Sequence, residues 1–352
     1  MYRKSVVMKK ITFLVALSAL VASCSQKELI ENHTVPTLKV TISDSTNLEM
    51  EVTNASTYNL LGHGYDATGL FFNALSGRAK VLDIEKLIEL HPGHYVSGLN
   101  NGHSSQTIAG LSASSMVRIL SESTNSYFRP NTDSSKMNMF CGQLTTAFDR
   151  TTLLSDKYTY SLYQEFVVKC SHTFYETIDT LRNNLTETFQ TDLQNETAEN
   201  ILLKYGTHVL TSVLLGGKIQ VMYKSHVTAA DVSWQSQVGL NQAVLSIFGT
   251  SMAWYSARNP FGNEEQEAFA VTSGGIRIAP WHGTVMTDTL TRSIMNITPW
   301  FESLKENWSL IDVQEGHMIP IYELVSDDTK REALKSAYNT YFLKSKANLM
   351  GL

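Results

Sequence analysis

The stretch from Val209 to Val221 restricts the fold most: it is largely apolar and is broken at Gly216-Gly217. It reads as a buried strand carrying a bend, because paired glycines lack the Cβ atoms that resist a change of direction. Other segments add both element types. Tyr158 to Cys170 places Tyr158, Tyr160, Leu162, Phe166 and Val168 on one face of a long alternating strand. Ile84 to Leu90 has the apolar spacing of a short helix that His91-Pro92-Gly93 ends. Asn195 is placed to cap a helix with Ile201, Leu202 and Tyr205 on its apolar side and Gly206 as its stop. Ser326 is placed to cap a final helix in which Leu334, Ala337, Tyr338, Tyr341 and Phe342 fall at the helical period. Helices and long strands together give an α+β class.

A second segment has an unusual pattern. From Val232 to Trp254, even positions up to 244 read Val, Trp, Ser, Val, Leu, Gln, Val, and the odd positions between them are mostly polar. Val232, Trp234, Val238, Leu240 and Val244 would therefore line one face of an extended strand. The alternation exceeds the roughly 9–11 residues a tilted strand needs to cross a bilayer. No charged residue falls between Asp231 and Arg258. An amphipathic strand or an irregular helix of a soluble domain fits the same residues.

The N-terminus reads as an export signal. Arg3, Lys4, Lys9 and Lys10 precede an apolar run from Ile11 to Ala22 that is too short for a spanning helix. Leu20-Val21-Ala22-Ser23 before Cys24 resembles the lipobox of bacterial lipoproteins, so residues 1–23 are expected to be removed and Cys24 lipidated. Residues 25–36 are polar and aperiodic, which makes 24–36 a linker behind the lipid. From 37 to 350 no repeat and no Pro/Gly/Ser-rich break interrupts the chain, consistent with one domain. Loss of residues 1–23 leaves 24 basic and 33 acidic residues, a net charge of −9, which excludes nucleic acid as a natural partner. Cys141 and Cys170 are then the remaining cysteines; an oxidising compartment permits a disulfide between them, and two free thiols fit the same spacing.

Four ordered motifs resemble the membrane attack complex/perforin (MACPF) family. They are Leu61-Gly62-His63-Gly64-Tyr65-Asp66, then Tyr205-Gly206-Thr207-His208 followed by Gly216-Gly217, then Thr272-Ser273-Gly274-Gly275, and a closing segment with Trp300-Phe301-Glu302-Ser303-Leu304 and Ile319-Pro320-Ile321-Tyr322-Glu323-Leu324. Val209 and Ala198 stand where the family usually has aromatic residues.

The resemblance implies a bent, twisted, four-stranded antiparallel central sheet flanked by helices. Gly216, Gly217, Gly274 and Gly275 would be bend or hinge positions. Tyr205 and His208 would join the preceding helix to the sheet corner, with His208 a packed core histidine. Two helical clusters, at about 110–157 and 226–268, would unfurl into β-hairpins, and Arg129-Pro130, Asp133 and Lys136 suit the tip of the first. A Cys141–Cys170 bond would restrain that unfurling. The expected partners are a lipid bilayer, further copies of the chain in a ring, and a receptor on the target cell, either an outer-membrane protein or lipopolysaccharide. A lipobox on such a body resembles the antimicrobial lipoproteins of gut Bacteroidales, which attack the outer membranes of sensitive relatives.

Other function classes have less support. His91-Pro92-Gly93-His94 offers two metal ligands without a third at characteristic spacing, and a Pro-Gly turn explains the segment, so no metal site is expected. No P-loop, Gly-x-Ser-x-Gly or His-Glu-x-x-His occurs, so neither enzymatic activity nor a cofactor is expected. The alternative is a non-lytic surface adhesin or glycan-binding lipoprotein, using aromatic pairs such as Trp254-Tyr255 or Trp281-His282.

Overall fold

The computed structural model describes residues 36–43, 60–124, 127–128, 138–249, 262–287 and 293–350. Cys24, the signal segment, nearly all of the linker, the hairpin tip expected at 129–136 and the Trp254-Tyr255 pair lie outside these residues.

Four long strands form the centre: β4 (Tyr95–Gly110), β5 (Thr159–Phe174), β7 (Ser212–Val227) and β8 (Asn263–Ser273). They pair antiparallel in the order β4-β5-β7-β8. The sheet is wider than the four strands expected. β1 (Thr37–Ile42) adds to the free edge of β8 in parallel, β9 (Trp281–Met286) pairs antiparallel with β1, and β10 (Ser309–Asp312) pairs with β7. Register shifts interrupt the central ladders between Leu99 and Gly102 and between Val168 and Cys170, the latter beside Gly216. Such bulges bend a strand and increase its local twist.

A second, antiparallel sheet contains β2 (His63–Tyr65), β3 (Gly77–Lys80), β6 (His208–Leu210) and β11 (Met318–Pro320), in the order β11-β6-β2-β3. The apolar run that reads as one bent strand is thus two strands in two sheets. The break falls at Thr211, whose N–H donates to His317 O, and the glycine pair lies inside β7.

The helices are α1 (Ile84–Leu90), α2 (Ala113–Ser123), α3 (Cys141–Thr145), α4 (Arg150–Leu153), α5 (Ile178–Arg182), α6 (Glu187–Asn195), α7 (Ala198–Tyr205), α8 (Val232–Phe248), α9 (Thr298–Ser303) and α10 (Asp328–Met350). Two caps differ from the sequence reading. Asn195 ends α6, and Thr197 caps α7 by accepting from Asn200 N. Asp327, one residue past Ser326, caps α10 by accepting from Lys330 N. Each competing residue is itself a good cap, so composition alone does not choose between them.

Both faces of the central sheet are covered. Along β7, Ile219, Val221 and Tyr223 join an apolar cluster with Leu240, Val244 and Ile247 of α8, and Met222 joins the larger cluster that holds Met116 and Leu120 of α2. Since alternate residues of a strand face opposite sides, α2 and α8 pack on opposite faces of the sheet.

Candidate functional site

The Tyr205–His208 signature closes the junction between the helices and the smaller sheet. Gly206 ends α7 at φ 75°, ψ −167°, a conformation available essentially to glycine alone. A Cβ there would stand 2.7 Å from Tyr65 O, and a Cβ on Gly64 would stand 1.7 Å from Tyr205 O. The two glycine motifs read separately in the sequence therefore pack on each other, with Gly64 opposite Val209 and Tyr65 opposite His208. Tyr205 Oη donates to Asp192 Oδ2 at 2.6 Å and fixes α7 on α6.

His208 is fully buried. Thr207 Oγ1 accepts from Ala67 N and donates to Tyr65 O, so its remaining lone pair takes the His208 Nδ1–H at 2.9 Å. Tyr338 Oη on α10 then donates to Nε2 at 3.0 Å. Both ring nitrogens are satisfied by a neutral imidazole, so the residue ties β6 to α10 and has no free nitrogen for acid–base work. Burial holds its pKa down at about 3. The unfolded chain takes up a proton near pH 6.5 and the folded chain does not, so stability falls as pH drops from about 6.5 toward 3. We expect a loss of about 3 kcal/mol between pH 7 and pH 4 from this residue. Guanidinium titrations at the two pH values should show it, and His208→Gln should flatten that dependence.

Three of the four glycines of the expected hinge, Gly217, Gly274 and Gly275, gather around Trp300, and Gly216 lies against Gly274. A Cβ on Gly216 would lie 1.9 Å from Val167 O, and one on Gly217 would lie 2.5 Å from Leu304 and 2.8 Å from Trp300. Gly274 and Gly275 lie just beyond the end of β8, at φ 71° and 69°, and so are turn residues following the strand. A Cβ on Gly274 would come within 2.2 Å of Gly216 O, and one on Gly275 within 2.7 Å of the Trp300 ring. Trp300 Nε1 donates to Gly274 O at 2.8 Å. The missing side chains let α9 sit directly on the sheet backbone beside the β5 bulge.

The residue missed in the sequence is Lys218, next to that glycine pair and fully buried. Its Nζ donates to Phe71 O at 2.9 Å, to Phe72 O and to Ile311 O at 3.0 Å, latching β7 to the 71–72 loop and β10. Burial pushes the Lys218 ammonium down and the Asp312 carboxyl up. A lysine directly after the glycine pair, inside the largely apolar stretch up to Val221, was the available signal.

The alternating segment is helical in this structure. Val232 to Phe248 forms α8, capped by Asp231, whose side chain accepts from Trp234 N, and ended by Gly249 at φ 73°. Val238, Leu240 and Val244 are buried, Val232 is half-buried and Trp234 is 45% exposed. No segregated polar face results, because a period of two wound at 3.6 residues per turn mixes the two sets. Gln235, Ser236, Asn241, Gln242 and Ser246 are buried as well. Ser236 Oγ pairs with Ser161 Oγ at 2.7 Å, and Gln242 Nε2 donates to Thr287 O at 2.7 Å. On the opposite face of β5, the side-chain amide of buried Gln164 finds no partner among the described residues. Gly239 is required because a Cβ would lie 2.1 Å from Tyr223 Oη. The first window contains α2, α3 and α4; α2 opens with a capping box between Ser112 and Ser115.

Cys141 and Cys170 are separate, buried thiols, so the disulfide restraint considered from the sequence is not a feature of this structure. Cys141 Sγ donates to Asn138 O at 3.1 Å, and Cys170 Sγ lies 3.4 Å from His172 Nε2. Burial pushes the Cys141 thiol up to about 11. No helix among the described residues is long and apolar enough to cross a membrane.

Two solved structures resemble this arrangement. One is described as a cell invasion protein with a MAC/Perforin domain from Bacteroides thetaiotaomicron (TM-score 0.64, 17% identity, 89% of this chain and 63% of that one). The other is GNIP1Aa from Chromobacterium piscinae (TM-score 0.61, 18% identity, 84% of this chain and 58% of that one). The chain spans about three-fifths of the length of each, and at these identities the likeness is one of fold. No curated protein matches the chain in sequence. The MAC/Perforin domain family matches residues 55–348, nearly the whole body built from the two sheets and their helices, and the chain belongs to that family.

Proposed function

We propose that the chain is a pore-forming lipoprotein, exported and anchored through Cys24 in the outer membrane, on the cell surface or in released vesicles. Its role is to permeabilise the envelopes of competing related bacteria. The observation that carries this reading is the mismatch in α8. A sequence with the period of a membrane β-strand is held as a helix, and the cost is buried glutamine, asparagine and serine. Extended as a hairpin, the same residues would turn Val232, Trp234, Val238, Leu240 and Val244 to lipid and the polar set to a water-filled lumen.

Strand direction sets how copies would join. β4, β5, β7 and β8 alternate strictly, so β8 of one copy meets β4 of the next antiparallel and the alternation continues around a ring. β4 is already an open edge, with most of its residues exposed, Leu99 at 83% among them. The β8 edge is covered by β1. A lone hairpin in lipid would leave its edge amides unpaired, so insertion requires a closed ring.

Purified mature protein should release dye from outer-membrane vesicles of sensitive strains and kill those strains. Vesicle binding without leakage would remove the pore reading and favour the surface-adhesin alternative. That alternative draws on an apolar groove lined by Ile276, Ile278, Pro280, Trp281 and Pro299.

A further inference from the structure

We infer that His91, His94 and Glu176 form a binding site for a divalent transition-metal ion of the zinc type. The two histidines flank Pro92-Gly93 in the turn between α1 and β4, and Glu176 immediately follows Tyr175, just past β5. The backbone fixes the approach: Tyr175 N donates to His94 O at 2.9 Å, and His94 N donates to His91 O at 3.0 Å. The Nδ1 atoms of His94 and His91 lie 2.7 and 3.4 Å from the same oxygen, Glu176 Oε1. One ligand atom from each residue falls within 4.8 Å of the others. The other carboxylate oxygen accepts from Thr177 N at 3.2 Å, which orients Oε1 toward the rings.

Zinc bound tetrahedrally at about 2.0–2.2 Å holds its donors roughly 3.3 Å apart, so the His94–Glu176 contact opens slightly and the two rings, whose ligand atoms lie within 4.8 Å, adjust to the same spacing. Two imidazoles and one carboxylate favour zinc-like ions over calcium or magnesium, which take mainly oxygen donors. The glutamate side chain is 5% exposed and the histidines 37% and 53%, so the site has a buried anchor and an open face where water completes the coordination. A bound ion would staple the start of β4 to the end of β5, at the end of that pair opposite the α2–α4 cluster. This site stands independently of pore formation.

Calorimetry of the chelator-treated mature chain with zinc chloride at pH 7.5 tests it. One equivalent should bind with a Kd on the order of micromolar, and thermal unfolding should shift upward. His94→Ala and Glu176→Gln should each weaken binding about tenfold or more, with His282→Ala, at an exposed histidine elsewhere, binding as the parent does. Cobalt should give a tetrahedral visible spectrum that His94→Ala loses, which reports on the site even if a variant is less stable. Absence of stoichiometric zinc binding, unchanged affinity in both site variants, or calcium binding as tightly as zinc would each overturn the proposal.

Discussion

A chain with Lys39→Cys and Glu267→Cys, oxidised to a disulfide, should lose pore formation about a hundredfold or more and recover it on reduction. Lys39 and Glu267 are register partners in the parallel β1–β8 pair, with Nζ 2.8 Å from Oε1, so their side chains already meet. Adjacent strands bring Cα atoms within the span a disulfide accepts. The Lys39–Glu267 pair is half-exposed on the lysine side and its loss costs at most about 1 kcal/mol. Buried Lys224 loses its partner Glu267 as well and keeps the Tyr158 ring at 4.0 Å, so the reduced variant should fold with a lowered unfolding midpoint, and its own oxidised and reduced forms are the pair to compare.

The large effect comes from strand direction. β1 runs parallel to β8, and β9 runs antiparallel to β1. If both stayed in place, a ring would join β9 of one copy to β4 of the next in parallel and add a parallel β1–β8 joint in every copy. Bacterial membrane barrels are built of antiparallel strands, and the two windows expected to unfurl follow β4 and β7, not β1 or β9. Release of β1 and β9 exposes β8 and restores the alternation, and the cross-link forbids that release. Equal dye release by the oxidised and reduced proteins would show that the β8 edge is not the joining edge.

Features with local causes were legible in the sequence: the Gly206 stop and the α10 stripe depend on residues next to them in the chain, whereas the glycines stood out as residues but the backbone and side chains they pack against lie far from them in sequence. Features set by distant pairing were not. The break at Thr211 carries no glycine or proline; it arises because β6 pairs with β2 and β11 while β7 pairs with β5 and β8. Glu176 joins His94 from 82 residues away, so a search for ligand spacing could not find it. Lys218 escaped notice because its partners are backbone carbonyls, which any sequence supplies. The period-two segment is instructive in another way. Its pattern is legible, but the folded chain satisfies a different one, and that conflict between local preference and structure is what a conformational switch requires.

The same conflict decides how the membrane-facing residues are best tested. Val238→Asp with Leu240→Asp would place two carboxylates at buried positions of α8, the second in the cluster with Val221 and Tyr223. Buried unpaired charges cost several kcal/mol each, so that variant should fail to fold and would say nothing about lipid. Trp234 belongs to the same alternating face but is 45% exposed, three residues after the Asp231 cap of α8. Aspartate there lies in the first helical turn, where the helix dipole favours a negative charge by about 0.3–1 kcal/mol and offsets part of the packing that the half-buried ring loses, so Trp234→Asp should fold with a modestly lowered unfolding midpoint. In an inserted hairpin the same carboxylate would face lipid in every copy of the ring. Even a penalty of about 1–2 kcal/mol per copy, multiplied around the ring, should abolish dye release. Trp234→Phe, which keeps an aromatic on that face, should retain it. Full lysis by folded Trp234→Asp would remove this face from the lipid boundary and leave α8 an ordinary, if unusually polar, packing helix.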